Sequence, residues 1–245
     1  MINLLKGDCL ELLSSIKDNS IDAVIVDPPY GTTSCKWDSI IPLEPMWSHL
    51  ERIMKPNRAI VIFGQEPYSS ILRASNLKKY KYDWVWEKTK IGGFMNAKNA
   101  PLKQYENIMV FSDGTIANGS SRRMLYNPQG LVEINATKKN AKRNTEHTIG
   151  ERKSRKAGKS YTQQYTNYPK NILQFNSVLK PDHPTEKPCD LLEYLVLTYT
   201  NEKDTVLDFC MGVGSCGLAC KNTNRSFIGM ELNEVYFNIA SNRLL

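Results

Sequence analysis

The chain has 245 residues, 41% of them hydrophobic and 23% charged, with 32 Lys and Arg against 25 Asp and Glu for a formal net charge of +7. That balance fits one sizeable globular domain, or a domain with an insertion, and excludes collagen-like and wholly disordered classes. No run approaches the roughly 18 apolar residues that span a bilayer, and MINLLKGDCLELL lacks the basic-then-apolar order of a signal peptide, so a cytoplasmic protein with no membrane partner is expected.

In chain order, IDAVIVD (21 to 27) predicts a buried strand running into a Pro-Pro turn, and AIVIFG (59 to 64) a second strand. WVWEK (84 to 88) and ENIMVFS (106 to 112) predict two more, the latter at an edge or antiparallel. Residues 112 to 180 then change character. They hold 13 Lys and Arg against 4 Asp and Glu, whereas the rest of the chain holds 19 against 21, so the whole positive excess lies here. Two readings stand together: a solvated insertion, and a phosphate-binding surface in which Arg122, Arg123, Lys138, Lys139, Lys142, Arg143, Lys153, Arg155 and Lys156 contact a polyanion and tyrosines stack or donate. Beyond it come a helix over 189 to 200, a strand over 205 to 210, a helix over 215 to 223, a strand over 226 to 232 and a terminal helix from residue 234. Strands alternating with helices on both sides of the insertion predict an α/β sheet.

Two turns carry chemistry. VLDFCMGVGSCGLAC sets Asp208 at a strand end and Gly212 and Gly214 in the turn before a helix, a pattern that brings backbone close to a ligand beside unpaired helix N–H groups. The next strand ends in Glu231, about 20 residues on, where an acid accepts from ribose hydroxyls. A solvated carboxylate capping the last helix is the alternative for Glu231. In VIVDPPYG, Asp27-Pro28-Pro29-Tyr30 ends a strand abruptly at the sheet edge, where open α/β folds bind ligands. A plain turn is the alternative there, but a carboxylate, an uncontested carbonyl and an aromatic ring suit a flat base bearing an amine. The six cysteines contain no C-x-x-C pair and the three histidines are dispersed, so no metal site is expected and the thiols are free.

DPPY at 27 to 30, VLDFCMGVGS, the acidic FIGMEL strand and HPTEKP at 183 to 188 together resemble the S-adenosylmethionine-dependent DNA amino-methyltransferases, and their order resembles the beta group. The resemblance implies a circularly permuted Rossmann-like fold: a largely parallel seven-stranded sheet with one antiparallel strand, helices on both faces and an inserted target-recognition segment. It divides the chain into a catalytic part (1 to 111), the basic insertion (112 to 180) and a cofactor-binding part (181 to 245). It further implies that Asp208, Gly212 and Gly214 cradle the methionine part of S-adenosylmethionine and Glu231 holds the ribose, with Phe209, Cys210, Ser215 and Leu232 also cofactor-binding. Asp8 and Cys9 lie near its adenine by the same likeness, and Thr185 and Lys187 close over its methionine end. Many relatives read Asp-Pro-Phe and Gly-Thr where this chain has Asp208-Phe209-Cys210 and Gly214-Ser215, a change in the pocket wall that leaves the backbone pattern intact.

The implied activity is methylation of the N6 amine of a flipped-out adenine in double-stranded DNA, with Asp27, Pro28, Pro29 and Tyr30 catalytic and Tyr30 stacked on the base. Cytosine N4, an RNA amine and an inactive DNA-binding module are the alternatives. A homodimer and a separate restriction endonuclease are both compatible with the family.

Overall fold

The computed structural model describes residues 1 to 32, 38 to 140 and 159 to 245. The chain forms β1 (Ile2–Lys6), α1 (Cys9–Ser15), β2 (Ile21–Val26), α2 (Leu43–Ile53), β3 (Met54–Gly64), α3 (Tyr68–Ser75), β4 (Tyr80–Gly92) and β5 (Lys103–Phe111). After β6 (Val132–Lys139), β7 (Ser160–Thr166) and β8 (Ile172–Phe175) come α4 (Cys189–Tyr199), β9 (Thr205–Asp208), α5 (Ser215–Asn222), β10 (Ser226–Glu231) and α6 (Glu234–Leu244).

Eight strands make the main sheet in the order β1-β10-β9-β2-β3-β5-β4-β8, and β5 alone runs against its neighbours. A sheet covered on both faces demands continuous apolar strands, which explains why β2 reads IDAVIV and is buried along its whole length. The two-residue period of the strand then sorts side chains by face. Ala23, Ile25, Ala59, Val61, Phe63, Ile108 and Val110 pack with residues of α4, α5 and α6. Val24, Val26, Ile60, Ile62, Met109 and Phe111 pack on the other face with residues of α1, α2 and α3.

The expected strands and helices are present, with three differences. An eighth strand joins the sheet, because Ile172–Phe175 pairs parallel to β4 and buries Leu173. ENIMVFS is antiparallel, yet it lies between β3 and β4 and not at an edge. The insertion is narrower than residues 112 to 180, since one compact unit comprises Met1–Asn127 and Asn171–Leu245 and the other Pro128–Lys170. The flanking stretch belongs to the first unit because Met124 is buried in its core, Leu125 N–H donates to the Asn57 carbonyl (3.2 Å) and Asn127 N–H to the Thr198 carbonyl (2.8 Å). Among its described residues the second unit contains an antiparallel β6–β7 ribbon with largely exposed side chains, Lys138 facing Tyr161 and Lys139 facing Ser160 across the ladder. No helix among the described residues is long and apolar enough to cross a membrane.

Candidate functional site

The carboxyl ends of β2, β9 and β10 meet at one edge of the sheet, beside the point where strand order reverses between β9 and β2. A cavity of about 710 Å³ opens there, within the range of roughly 300–1,000 Å³ usual for small-molecule sites. Both predicted turns line it.

At the cofactor-type turn, Gly212 (φ 53°) and Gly214 (φ 83°) adopt left-handed backbone. A side chain on Gly214 would press on Leu244 and Ala240 at 3.0–3.3 Å, whereas the space beside Gly212 is open. The chain can therefore approach α6 on one side and a ligand on the other. Glu231 spans this turn: Oε2 accepts from Gly212 N–H (2.9 Å) and Oε1 from Asn233 N–H (2.7 Å). Glu231 is not the helix cap, because the Asn233 side chain accepts from Val235 and Tyr236 N–H and starts α6. Burial raises the Glu231 carboxyl, and the two N–H groups pull it back. Asp208, buried at the end of β9, accepts from Cys210 N–H (3.0 Å), and burial lifts its carboxyl well above the ordinary aspartate range. Phe209 is buried against the α1 side of the sheet, while Cys210 and Cys9 both line the cavity wall. Asp8 also lines the cavity, with one carboxylate oxygen capping α1 through Leu10 N–H (2.8 Å) and Glu11 N–H (3.4 Å). Leu232 is exposed at the rim.

At the second turn, Pro28 and Pro29 have no N–H, and the Asp38 carboxylate accepts the next three: Tyr30 (2.7 Å), Gly31 (2.8 Å) and Thr32 (2.9 Å). Nothing in the turn itself then competes for the Pro28 carbonyl. The Tyr30 hydroxyl donates to Asp27 Oδ1, and the Lys187 ammonium donates to Asp27 Oδ2. Burial raises Asp27 above the usual carboxylate range, opposed by Lys187. Lys187 itself reaches Glu106 Oε2 (3.3 Å), and Glu106 Oε1 is held by Lys88 (2.9 Å) and Gln65 (3.3 Å). Burial opposes Lys187's charge, yet Asp27 and Glu106 raise its affinity for the proton overall. Glu106 is driven up by burial but held below its ordinary value by Lys187 and Lys88.

Three placements add to what the sequence implied. Lys187 is bound to the carboxylate of the DPPY turn, because the half-buried Asp27 and the buried Glu106 offer its ammonium the partners that a desolvated charge requires. Tyr30 has one ring face covered by Tyr68, at 5.3 Å between centroids and 24° between planes, which leaves at most its other face to a ligand. Arg122 and Arg123 lie at the opposite edge of the sheet. The antiparallel β5 carries the chain there, and Arg122 pairs its carbonyl with Thr115 N–H and its guanidinium with the Asp113 carbonyl. Lys138 and Lys139 are exposed on β6, while Lys142, Arg143, Lys153, Arg155 and Lys156 fall outside the described residues.

Thr185 lines the cavity, its hydroxyl 3.1 Å from His183 Nδ1. Within the same HPTEKP segment, Glu186 accepts from the Ser215 hydroxyl (2.9 Å) and from Arg243 (2.8 Å), tying the segment to the start of α5 and the end of α6. Sequence reasoning did not assign Asp38, Glu106, Lys88, Glu186 or Arg243. Glu106 had one visible signal, a carboxylate two residues before the apolar run IMVF of β5.

Residues 21–242 match the model of a family described as DNA methylase. The Type II methyltransferase M.HpaI of Haemophilus parainfluenzae is 27% identical over 260 residues, covering 98% of this chain and 73% of the relative. M1.MboII of Moraxella bovis, also a Type II methyltransferase, is 25% identical over 96% of this chain and 93% of its own. In fold, the chain is similar to the crystal structure of the M1.HpyAVI–SAM complex (TM-score 0.65, 24% identity, 100% of both chains covered). It is also similar to the cytosine-N4-specific PvuII DNA methyltransferase (TM-score 0.70, 16% identity, 100% of this chain and 86% of that one).

Proposed function

The chain belongs to the DNA methylase family, and from that premise we propose that it transfers a methyl group from S-adenosylmethionine to the N6 amine of an adenine flipped out of double-stranded DNA. The observation that carries the proposal is the shared cavity: Asp27 and Pro28 line the same space as Gly212 and Glu231.

The residues fit that cofactor. Gly212 leaves an open backbone surface, Glu231 has spare acceptor capacity on both oxygens, and the cavity volume accommodates a nucleoside with an amino-acid tail. When bound, S-adenosylmethionine supplies an electrophilic methyl group on a positively charged sulfur. Glu231 orients the ribose, Gly212 and Gly214 keep the turn close, and the Glu186–Arg243–Ser215 network holds the HPTEKP segment over the site.

The amine of adenine is a weak nucleophile because its lone pair is delocalised into the ring. Asp27 and the Pro28 carbonyl accept its two N–H bonds, which favours a pyramidal nitrogen and aims the lone pair, so orientation and electrostatics carry the catalysis. Each Asp27 oxygen already takes one donor, from Tyr30 or Lys187, and a carboxylate has about four acceptor positions, so the amine adds to this arrangement without displacing it. Lys187 favours the ionised form of Asp27, opposing the burial that raises its carboxyl. Asp27 then takes the surplus proton once the nitrogen has acquired the methyl group. The base reaches the pocket only outside the stack, where the Tyr30 ring covers it.

Adenine is favoured over cytosine because position 27 is Asp, where cytosine-directed relatives more often carry Ser. The likeness in fold to a cytosine-N4-specific enzyme favours the second reading, cytosine N4 on the same geometry. Asp27→Ala tests the catalytic assignment. It is expected to abolish tritiated-methyl incorporation into duplex DNA while S-adenosylmethionine still binds, as read by calorimetry; near-normal turnover would remove Asp27 from the mechanism.

A further inference from the structure

The β4–β5 hairpin overhangs the catalytic edge of the sheet. Lys88, on β4, holds Glu106, which reaches Asp27 through Lys187, so this level of the hairpin is the wall of the site. From Lys88 the strand continues to Gly92, about 13 Å of extended chain at ~3.3 Å per residue. The chain then turns at Gly93 (φ 90°) into a short 3-10 turn, Phe94–Asn96, before returning along β5 from Lys103.

Residues 93 to 105 are exposed throughout. At the tip, Met95 is 100% and Phe94 65% exposed. The tip is nonetheless ordered by its own backbone: Asn96 N–H bonds to Gly93, Ala97 to Phe94, and Asn99 to Asn96. Its stem is braced by Lys90 N–H on the Ser177 hydroxyl (3.1 Å) and Ser177 N–H on the Thr89 hydroxyl (3.0 Å). A shaped, braced turn presenting two large apolar side chains to water calls for an occupant.

The charge of the hairpin identifies that occupant. Between Glu87 and Glu106 there is no acid, and there are four lysines, 88, 90, 98 and 103. Lys88 is committed to Glu106, and among the described residues none of the other three pairs with a carboxylate. An apolar tip flanked by unopposed cations complements DNA, in which phosphates flank an apolar base stack, and Phe and Met are among the side chains that wedge between base steps.

We propose that the β4–β5 hairpin is a DNA contact in which Phe94 and Met95 enter the base stack beside the flipped nucleotide and Lys90, Lys98 and Lys103 hold the neighbouring phosphates. The proposal rests on the base-flipping methyltransferase reading above. In that setting the wedge occupies the gap left by the extruded base and so stabilises the open duplex.

The test uses the full chain and a duplex bearing the site that the intact protein methylates, located by sequencing treated DNA. Phe94→Ala/Met95→Ala is compared with the intact chain on that duplex and on one lacking the base opposite the target, where extrusion needs little help. Loss of a base-stacking contact predicts methyl transfer at least about tenfold slower on the paired duplex. On the unpaired target the rate returns to within about twofold of the intact chain, and cofactor affinity is unchanged. Lys90→Gln/Lys98→Gln/Lys103→Gln lowers the slope of log binding constant against log salt by about 2–3. Equal rates on the paired duplex, or an equal fall on both duplexes, overturn the wedge while leaving the methyltransferase reading intact. A double variant that changes the sedimentation coefficient but not paired-duplex turnover assigns the tip to self-association and overturns it too. No transfer to any DNA by the intact chain overturns both.

Discussion

Asp38 makes the DPPY turn a fixed object, and Asp38→Ala removes that constraint. One carboxylate accepts three successive N–H groups, at 2.7, 2.8 and 2.9 Å, and is itself nearly buried. Hydrogen bonds to a charged group contribute about 1.5–3 kcal/mol each. The three are not equivalent, however: Gly31 and Thr32 are exposed and regain water, whereas Tyr30 is half-buried. Counting the Tyr30 bond near 2 kcal/mol and the other two at about 0.5 kcal/mol each gives roughly 3 kcal/mol of ordering lost from the turn. If that ordering is needed when the methyl group moves, kcat falls roughly 150-fold. Asp38→Asn keeps one neutral acceptor and is expected to fall between the variant and the parent. Single-turnover methyl transfer reads the rate, and calorimetry reads S-adenosylmethionine binding, which should be unchanged because Asp38 takes no part in the Gly212–Glu231 turn. Turnover of Asp38→Ala within about threefold of the parent would refute the reasoning.

Lys187→Met removes the cation that opposes the burial-driven rise of Asp27, so Asp27 is protonated at higher pH and the acid limb of the pH–rate profile moves upward; an unmoved limb would dissociate Lys187 from the charge state of Asp27. Gly214→Ala places a side chain at φ 83° against Leu244 and Ala240, a strain of about 2 kcal/mol, and is expected to lower the melting temperature by about 4–8 °C and weaken cofactor binding. Neutralising Lys138 and Lys139 together should reduce the salt slope of DNA binding by about 2 if both contact phosphates, and an unchanged slope would mark them as solubilising surface.

The strands and the cofactor turn were legible because local rules produce them. IDAVIVD is apolar without alternation, as a strand buried on both faces must be, and Gly212 and Gly214 sit where left-handed backbone is required. The charge network behind Asp27 was not legible. Lys88, Glu106 and Lys187 lie on β4, β5 and the segment before α4, and only the pairing of β4 with β5 and the return of the chain after β8 bring them together. Lys187 was singled out through HPTEKP, but a motif gives a position and not the partner of an ammonium group. The basic segment misled in one respect. Composition groups Arg122 and Arg123 with the later cations, whereas the direction of β5 puts them at the edge away from the cavity. Composition likewise said nothing of the hairpin after β4, whose lysines are few and matter through the absence of nearby acids.

The central claim is that the Asp27–Tyr30 turn directs a methyl group to the N6 amine of adenine in DNA. The most direct measurement is mass spectrometry of nucleosides from duplex DNA incubated with the full chain and S-adenosylmethionine bearing a deuterated methyl group. The account predicts labelled N6-methyldeoxyadenosine from the intact chain and none from Asp27→Ala. Labelled N4-methyldeoxycytidine in its place, or label retained by Asp27→Ala, would contradict it.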